Sequence, residues 1–519
     1  MSANEIRSQK KIRLSQPHFY LCGMGVIIRQ SFKRSLVHYL AVGIGALNML
    51  FIYSRWTKEY GLAQTIIDDA LMLAPFLLLG VNALPIRYFP RYSHDDKKRN
   101  AFYSLIFCGA ILGSLVTLVV FFVFRHEFRD ALVNADDDPL FRSYVFWSVP
   151  LAIVVALSSL LVNLTANLHR IVVPAILDQL IPKVGLGVII LAVFYFSWSH
   201  HTYMLAYVSI YTIILLGLLI YFWHQARPVW EPFWKYFTQT EYREFFNYML
   251  FGIIGSIGVA LAFRIDTFMV TKLMNNVQLT GVYKIITYFT TFIEIPYLSI
   301  TMIAGPILSK AITNENYDEV RTIYQSASII LAVLGGWIFI GLLVNVRELF
   351  SLLPNSDEYQ GAFIVVLFSG LARYINLLFS TDNEIIGYSK YFRFNFYMVI
   401  FLALSNVIFN FWLIQIYGFI GAALATFIAM AMFSLAKVLF IYYRFHVWPF
   451  TQATMYTLLL GVVVFFIVNA LPVGGHNLIK IIIKSSLVTA LFLGPIMYFG
   501  WAPQLNDLWE KLWRRIRPN

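Results

Sequence analysis

The chain has 519 residues, of which 59% are hydrophobic and only 13% charged, with a formal net charge of +12. A water-soluble domain carries about a quarter charged residues, so composition excludes a soluble enzyme or signalling protein. Two cysteines without partner or ligand spacing argue against a disulfide framework and a zinc site.

Apolar windows of about 20 residues, the length needed to cross a bilayer core, recur along almost the whole chain. They predict an all-α polytopic membrane protein with about fourteen spans, at 35–53, 66–84, 101–124, 143–165, 173–196, 202–223, 245–271, 281–303, 323–345, 360–381, 394–414, 419–441, 451–471 and 477–499. Lys and Arg set the orientation, because they concentrate in cytoplasmic loops. Arg7, Lys10, Lys11, Arg13, Arg29, Lys33 and Arg34 precede the first span. Arg87, Arg91, Lys97, Lys98 and Arg99 follow the second, and Lys511, Arg514, Arg515 and Arg517 close the chain. This bias places both termini in the cytoplasm and explains the net charge without nucleic acid, since anionic lipid attracts such residues. Lys480 and Lys484, beside the last span, run against the bias.

The loops are too short to hold a catalytic domain. The longest outer one lies at roughly 125–142, and the longest inner one, HQARPVWEPFWKYFTQTEYR at 224–244, reads as an amphipathic helix on the membrane surface. No Gly-rich phosphate loop is present. No residue is assigned covalent chemistry, so the chain is expected to be a transporter, with no catalytic group, cofactor or bound metal.

Two segments echo one another. EYGLAQTIIDDALMLAPFLLLGVNALPIRYFPRYSHDDKKR (59–99) and LTGVYKIITYFTTFIEIPYLSITMIAGPILSKAITNENYDEVR (279–321) each open on a glycine near a tyrosine, Gly61 with Tyr60 and Gly281 with Tyr283. Each then crosses as an apolar helix to a proline, Pro90 or Pro306, and ends in a charged stretch. The repeat predicts two pseudo-symmetric six-helix bundles, 35–223 and 245–445, joined by the 224–244 linker. A basic segment at 1–34 precedes them, and two appended helices (446–499) and a basic tail (500–519) follow. Parallel repeats put a substrate site between the halves.

Polar side chains inside spans mark the interior of the bundle. Lys284, Thr287, Thr291 and Glu294 fall on one helical face, as do Ser369, Arg373, Asn376 and Ser380. The fourth span carries Asn163, Asn167 and Arg170, and the eleventh carries Asn395, Asn406 and Asn410. In FRIDTFMV (263–270), Arg264 shares a face with Thr267 and Thr271, while Asp266 points elsewhere. Depth counting from the turn at 272–279 makes an Asp266–Lys284 bridge one reading. Arg264 then either snorkels outward or lines a cavity. Glu294 and Arg373 either pair with each other or stand apart in function. In the functional reading Arg264, Arg373 and Lys284 line a cationic cavity for an anionic headgroup, with Asn376 beside them, because a guanidinium binds phosphate in a bidentate way. Glu294, Asp266 or Asp178 would then take up a proton or Na⁺ as the coupled ion. Asp68 and Asp69 read as solvated at the start of the second span.

SRWTKEYGLAQ, LGVNALPIRYFPRY, RIDTFMVTKLMNNVQLTGVYKIITYFTTFIEIPYLSITMIAGPILSK and IYGFIGAALATFIAM, in this order and spacing, resemble the polysaccharide-export branch of the MATE-like MOP superfamily, the Wzx-type flippases. The resemblance covers the chain to about residue 445. It implies alternating access, a central cationic cavity and cation antiport. The implied substrate is an undecaprenyl-diphosphate-linked oligosaccharide, moved from the inner to the outer leaflet of a bacterial inner membrane for O-antigen or other surface polysaccharide. Polysaccharide polymerase and glycosyltransferases would be its partners. Relatives that flip peptidoglycan precursor carry Arg and Asp in the first span, where this chain has only His38 and Asn48 as strongly polar groups, which argues against that substrate. The alternative is a MATE-like multidrug/cation antiporter.

Overall fold

The computed structural model describes residues 33–127, 138–168, 170–379, 381–503 and 505. Cys22, most of the basic N-terminal segment, most of the 125–142 loop, Ser380 and most of the tail lie outside the described residues.

Every regular element among the described residues is helical. In chain order these are α1 (Lys33–Tyr53), α2 (Thr57–Leu78), α3 (Leu84–Tyr92), α4 (Asp96–Val123), α5 (Pro139–Asn167) and α6 (Val172–Phe196). There follow α7 (His200–Ala226), α8 (Gln239–Met274), α9 (Val277–Thr290), α10 (Ile295–Thr313), α11 (Tyr317–Ser351) and α12 (Ala362–Leu378). The chain ends with α13 (Asp382–Tyr388), α14 (Arg393–Tyr417), α15 (Phe419–Phe445), α16 (Gln452–Ala470) and α17 (Asn477–Tyr498). Twelve are long and apolar enough to cross a membrane, and thirteen if α12 and α13, bent by 44°, count as one span.

The span expected at 281–303 is broken. A 3-10 turn at Thr291–Glu294 separates α9 from α10, with Pro296 in the first turn of α10. Proline removes a backbone donor and its ring crowds the carbonyl four residues back, which kinks or breaks a helix, and here the chain breaks. The second span begins nine residues earlier than expected, at Thr57, because Lys58 and Glu59 suit a helix end but lower local hydropathy. The 224–244 linker is not a surface helix. Arg227 takes a left-handed conformation (φ 43°) that stops α7, Pro228 and Pro232 disfavour helix after it, and only Phe233–Lys235 makes a 3-10 turn.

Polar caps define several helix starts by accepting the otherwise orphaned N–H groups of the first turn. Asp95 accepts from Lys97 and Lys98, Asn276 from Gln278 and Leu279, and Asn316 from Glu319. Thr451 and Thr454 form a reciprocal box at the start of α16.

The described residues fall into two compact units. One is drawn from Met1–Ile52, Leu73–Leu132 and Phe146–Ile254, the other from Tyr53–Met72, Val133–Val145 and Gly255–Asn519. In the first, asparagines spend their amides between helices. Asn163 donates to Asn82 at 2.7 Å, Asn167 to the Pro85 carbonyl at 3.1 Å, and Asn48 to the Lys183 carbonyl at 2.8 Å. His38 bonds Gln179 at 3.1 Å, so both strongly polar residues of α1 serve helix packing. Gly80, at φ 76°, makes the turn after α2 against Met249, whose carbonyl would collide with any Cβ. In the second unit, α16 and α17 pack on α11 through Val344, Val464, Val488 and Phe492. Lys484, which runs against the charge bias, is turned inward to Glu348 and the Val344 carbonyl.

Candidate functional site

The site lies in the second unit, where the N-terminal half of α2 crosses α8 and α9. The crossing is tight because both helices lack side chains at the contact. A Cβ on Gly61 would strike the Val277 carbonyl, and one on Gly281 would strike the Thr57 carbonyl. These are the glycines that open the two echoing sequence segments, and here they pack on one another. Small residues let apolar helices approach closely where lipid provides no hydrophobic drive.

One turn along, a chain of buried hydroxyls binds the three helices. Thr65 Oγ1 lies 2.9 Å from Thr271 Oγ1, which lies 2.8 Å from Thr280 Oγ1. Asp68, three residues after Thr65 and so on the same face, receives three donors. Arg264 reaches Oδ1 at 2.6 Å, while Lys284 Nζ at 2.6 Å and the Thr267 hydroxyl at 2.8 Å reach Oδ2. The expected Arg264–Thr267–Thr271 face is therefore the face α8 turns to α2. The carboxylate is only 3% exposed, whereas Lys284 is 19% and Arg264 38% exposed. The acid sits behind the cations, and the cations keep an open side. Asp69 is also buried, and neither of its carboxylate oxygens has a hydrogen-bond partner among the described residues.

This corrects one expectation and narrows two open readings. Asp68 and Asp69 are buried, not solvated, because the early start of α2 carries them into the packed part of the helix. Lys284 pairs with Asp68, not with Asp266; Asp266 instead accepts from the Tyr283 hydroxyl at 3.0 Å and from the Thr267 amide at 2.8 Å. Arg264 does not snorkel, because Asp68 holds it. The signal that could have found Asp68 was present: two intramembrane cations without a common acid, and one acidic doublet elsewhere in an apolar span.

Glu294 and Arg373 pair directly, and Arg373 Nε also donates to Thr290 at 3.0 Å. The carboxylate is at the broken turn between α9 and α10, and both side chains are about one third exposed. Asn376, one turn beyond Arg373 on α12, is half-buried. Asp178 belongs to the first unit, where it is exposed on a π-helical turn within α6. Lys437 is wholly buried, 3.1 Å from Asp382, and Asn383 also accepts from it. The asparagines of α14 serve packing: Asn406 donates to the Ala262 carbonyl at 2.8 Å, and Asn410 to the Asn406 carbonyl at 2.9 Å.

A second feature of this unit is an apolar cavity of about 530 Å³ among α11, α12, α16 and α17. Phe339, Leu367, Tyr374, Leu458, Gly461 and Phe492 are among its lining residues.

The fold is similar to that of known transporters. A structure described as "Lipid II flippase MurJ, inward closed conformation" superposes with a TM-score of 0.68 at 15% identity, covering 91% of this chain and 98% of that one. An inward-facing multidrug-resistance MATE transporter of the MOP superfamily gives a TM-score of 0.53 at 13% identity, covering 79% and 94%. A MOP superfamily transporter from Pyrococcus furiosus, described as having a binding pocket of reverse polarity, gives 0.50 at 14% identity, covering 81% and 95%. No curated protein matches by sequence. The model of one family, described as "Polysaccharide biosynthesis protein", matches residues 29–312, more than half of the chain. The chain belongs to the polysaccharide biosynthesis protein family.

Proposed function

We propose that this protein is a flippase that carries a polyprenyl-diphosphate-linked oligosaccharide from the inner to the outer leaflet of a bacterial inner membrane, with both termini in the cytoplasm. One observation carries the reading. Two cations in apolar helices, Arg264 and Lys284, share a single buried carboxylate while keeping an exposed side. Such groups are costly in a membrane and face a cavity or a pathway, and a planar guanidinium beside an ammonium suits a diphosphate.

In this reading the diphosphate binds Arg264 and Lys284, with Arg373 and Asn376 assisting as the substrate moves. Family membership supports a polysaccharide precursor as cargo. Likeness to a lipid II flippase supports a lipid-linked one, and the apolar cavity beside α16 and α17 offers a place for part of the polyprenyl chain. Glu294 pairs with Arg373 and Asp266 accepts from Tyr283 and Thr267 in the same unit, and exchange of a proton or Na⁺ at one of these two carboxylates would couple transport to the ion gradient. Asp178 is kept as a third candidate.

A MATE-like antiporter of organic cations is the second reading. It would need an accessible acidic site, whereas at the α2 crossing the exposed groups are the cations and the acid is behind them. The test is the sidedness of undecaprenyl-diphosphate-linked glycan in cells depleted of the protein. The flippase reading predicts accumulation on the cytoplasmic leaflet, rescued by wild type and not by Arg264→Ala. Unchanged sidedness with altered sensitivity to cationic drugs would replace it with the antiporter.

A further inference from the structure

We propose that Asp68 is a specificity-determining residue, a resident anion that restricts the Arg264–Lys284 site to ligands carrying two anionic groups. The inference deepens the transport reading and rests on it for the identity of the natural ligand, but its chemistry stands on the geometry of the cluster.

The two oxygens of Asp68 are divided. Oδ1 belongs to Arg264; Oδ2 belongs to Lys284 and the Thr267 hydroxyl. One carboxylate therefore occupies both cations at once from the buried side, and any ligand must approach from the side on which Arg264 and Lys284 are exposed. A ligand with a single anionic group arriving there can engage one cation while Asp68 keeps the other. It gains one charge-assisted contact, loses the chance of a second, and meets the negative charge of Asp68 behind the pair. A diphosphate presents two anionic groups and can engage both cations together. Asp68 is then left with Thr267, and the loss of its two partners is offset by two contacts made simultaneously. Selectivity of this kind arises from an element that disfavours the wrong ligand as much as from contacts to the right one.

The surroundings hold Asp68 in place for that role. The Thr65–Thr271–Thr280 hydroxyl chain and the reciprocal Gly61–Gly281 crossing lie on the same stretch of α2, so the helix cannot slide to lend the carboxylate to one cation only. Neutralising Asp68 frees both cations for a single small anion, which can then bridge them as the carboxylate does now. Affinity for a single phosphate group then rises more than affinity for a diphosphate, and the two converge.

The test uses the full-length protein in detergent at fixed ionic strength, with inorganic pyrophosphate and inorganic phosphate as probes in calorimetric titration. Wild type is expected to bind pyrophosphate at least about 10-fold more tightly, a difference near 1.4 kcal/mol. Asp68→Asn is expected to narrow the ratio to within about 3-fold, chiefly through tighter phosphate binding. An unchanged ratio in Asp68→Asn overturns the proposal, as does a wild type that binds neither anion or both equally. If Asp68→Asn fails to fold, Thr267→Val keeps all three charges and removes one donor to Asp68; it is expected to narrow the ratio by about 2-fold. Amide exchange on wild type gives an independent check. Pyrophosphate, and not phosphate, should speed exchange across Thr57–Leu78, and saturating pyrophosphate without such a change contradicts displacement of Asp68. None of these assays uses lipid or transport. A shifted ratio with normal glycan sidedness in depleted cells removes the flippase reading alone, and a depletion defect with an unshifted ratio removes this inference alone.

Discussion

Lys284 and Lys437 are both lysines in apolar helices, and both lie within hydrogen-bond reach of an aspartate, yet their settings differ in two ways. Lys437 is entirely buried and has Asp382 and Asn383 for itself. Lys284 is 19% exposed and must share Asp68 with Arg264. Lys437 therefore has the marks of a staple: one cation, one acid, no route to solvent. Lys284 and Arg264 have those of a binding site: two cations, one engaged acid, an open side. An intramembrane charge by itself says little about function. Exposure and the number of cations for each acid distinguish the two cases.

Mutating each cluster in turn would break or sharpen the contrast. The largest loss of stability is expected for Lys437→Met, because Asp382 would be left buried without its partner, at a cost of about 3–5 kcal/mol. Denaturation of the purified protein in detergent measures it, and transport per folded molecule should be little changed. Arg264→Ala should do the opposite. Asp68 keeps Lys284 and Thr267, so stability should change by only about 1 kcal/mol, while transport falls about 10- to 100-fold through loss of a charge-assisted contact. An Arg264→Ala protein that melts early yet transports normally would erase the distinction.

Glycines sharpen the comparison at the next level. Gly61→Ala drives a Cβ into the Val277 carbonyl and should cost about 1–3 kcal/mol. Gly43→Ala in α1 meets nothing within 4 Å and should be neutral or slightly stabilising, by about 0.5–1 kcal/mol. The smallest loss of stability is expected for Asn163→Ala in the first unit, where one interhelical hydrogen bond to Asn82 is removed, about 0.6 kcal/mol. Equal losses at Gly61 and Gly43 would contradict the backbone contact between α2 and α9.

Helix content and approximate boundaries were legible because hydrophobic length reports directly on a bilayer-spanning helix. The pairing of Glu294 with Arg373 was one of two open readings from helix depth alone, and the face shared by Arg264, Thr267 and Thr271 followed from spacing. Asp68 was hidden because hydropathy places the start of α2 too late, which turns a mid-helix acid into an apparent helix-end residue. The break at Thr291–Glu294 was hidden because the segment stays apolar through it, although Pro296 was there to be weighed. The partner of Lys284 could not be read locally. Depth counting compares sequence neighbours, and the acid that holds this lysine comes from a helix more than 200 residues earlier.

The most direct test of the account is reconstitution of the full-length protein into liposomes of phosphatidylethanolamine and phosphatidylglycerol. These would carry a fluorescent undecaprenyl-diphosphate oligosaccharide, with leaflet exchange read by an impermeant quencher. The account predicts protein-dependent exchange that Arg264→Ala and Lys284→Ala each slow about 10-fold or more and that Lys437→Met leaves intact per folded molecule. Exchange no faster than in protein-free liposomes, or exchange equally fast in Arg264→Ala, would contradict it.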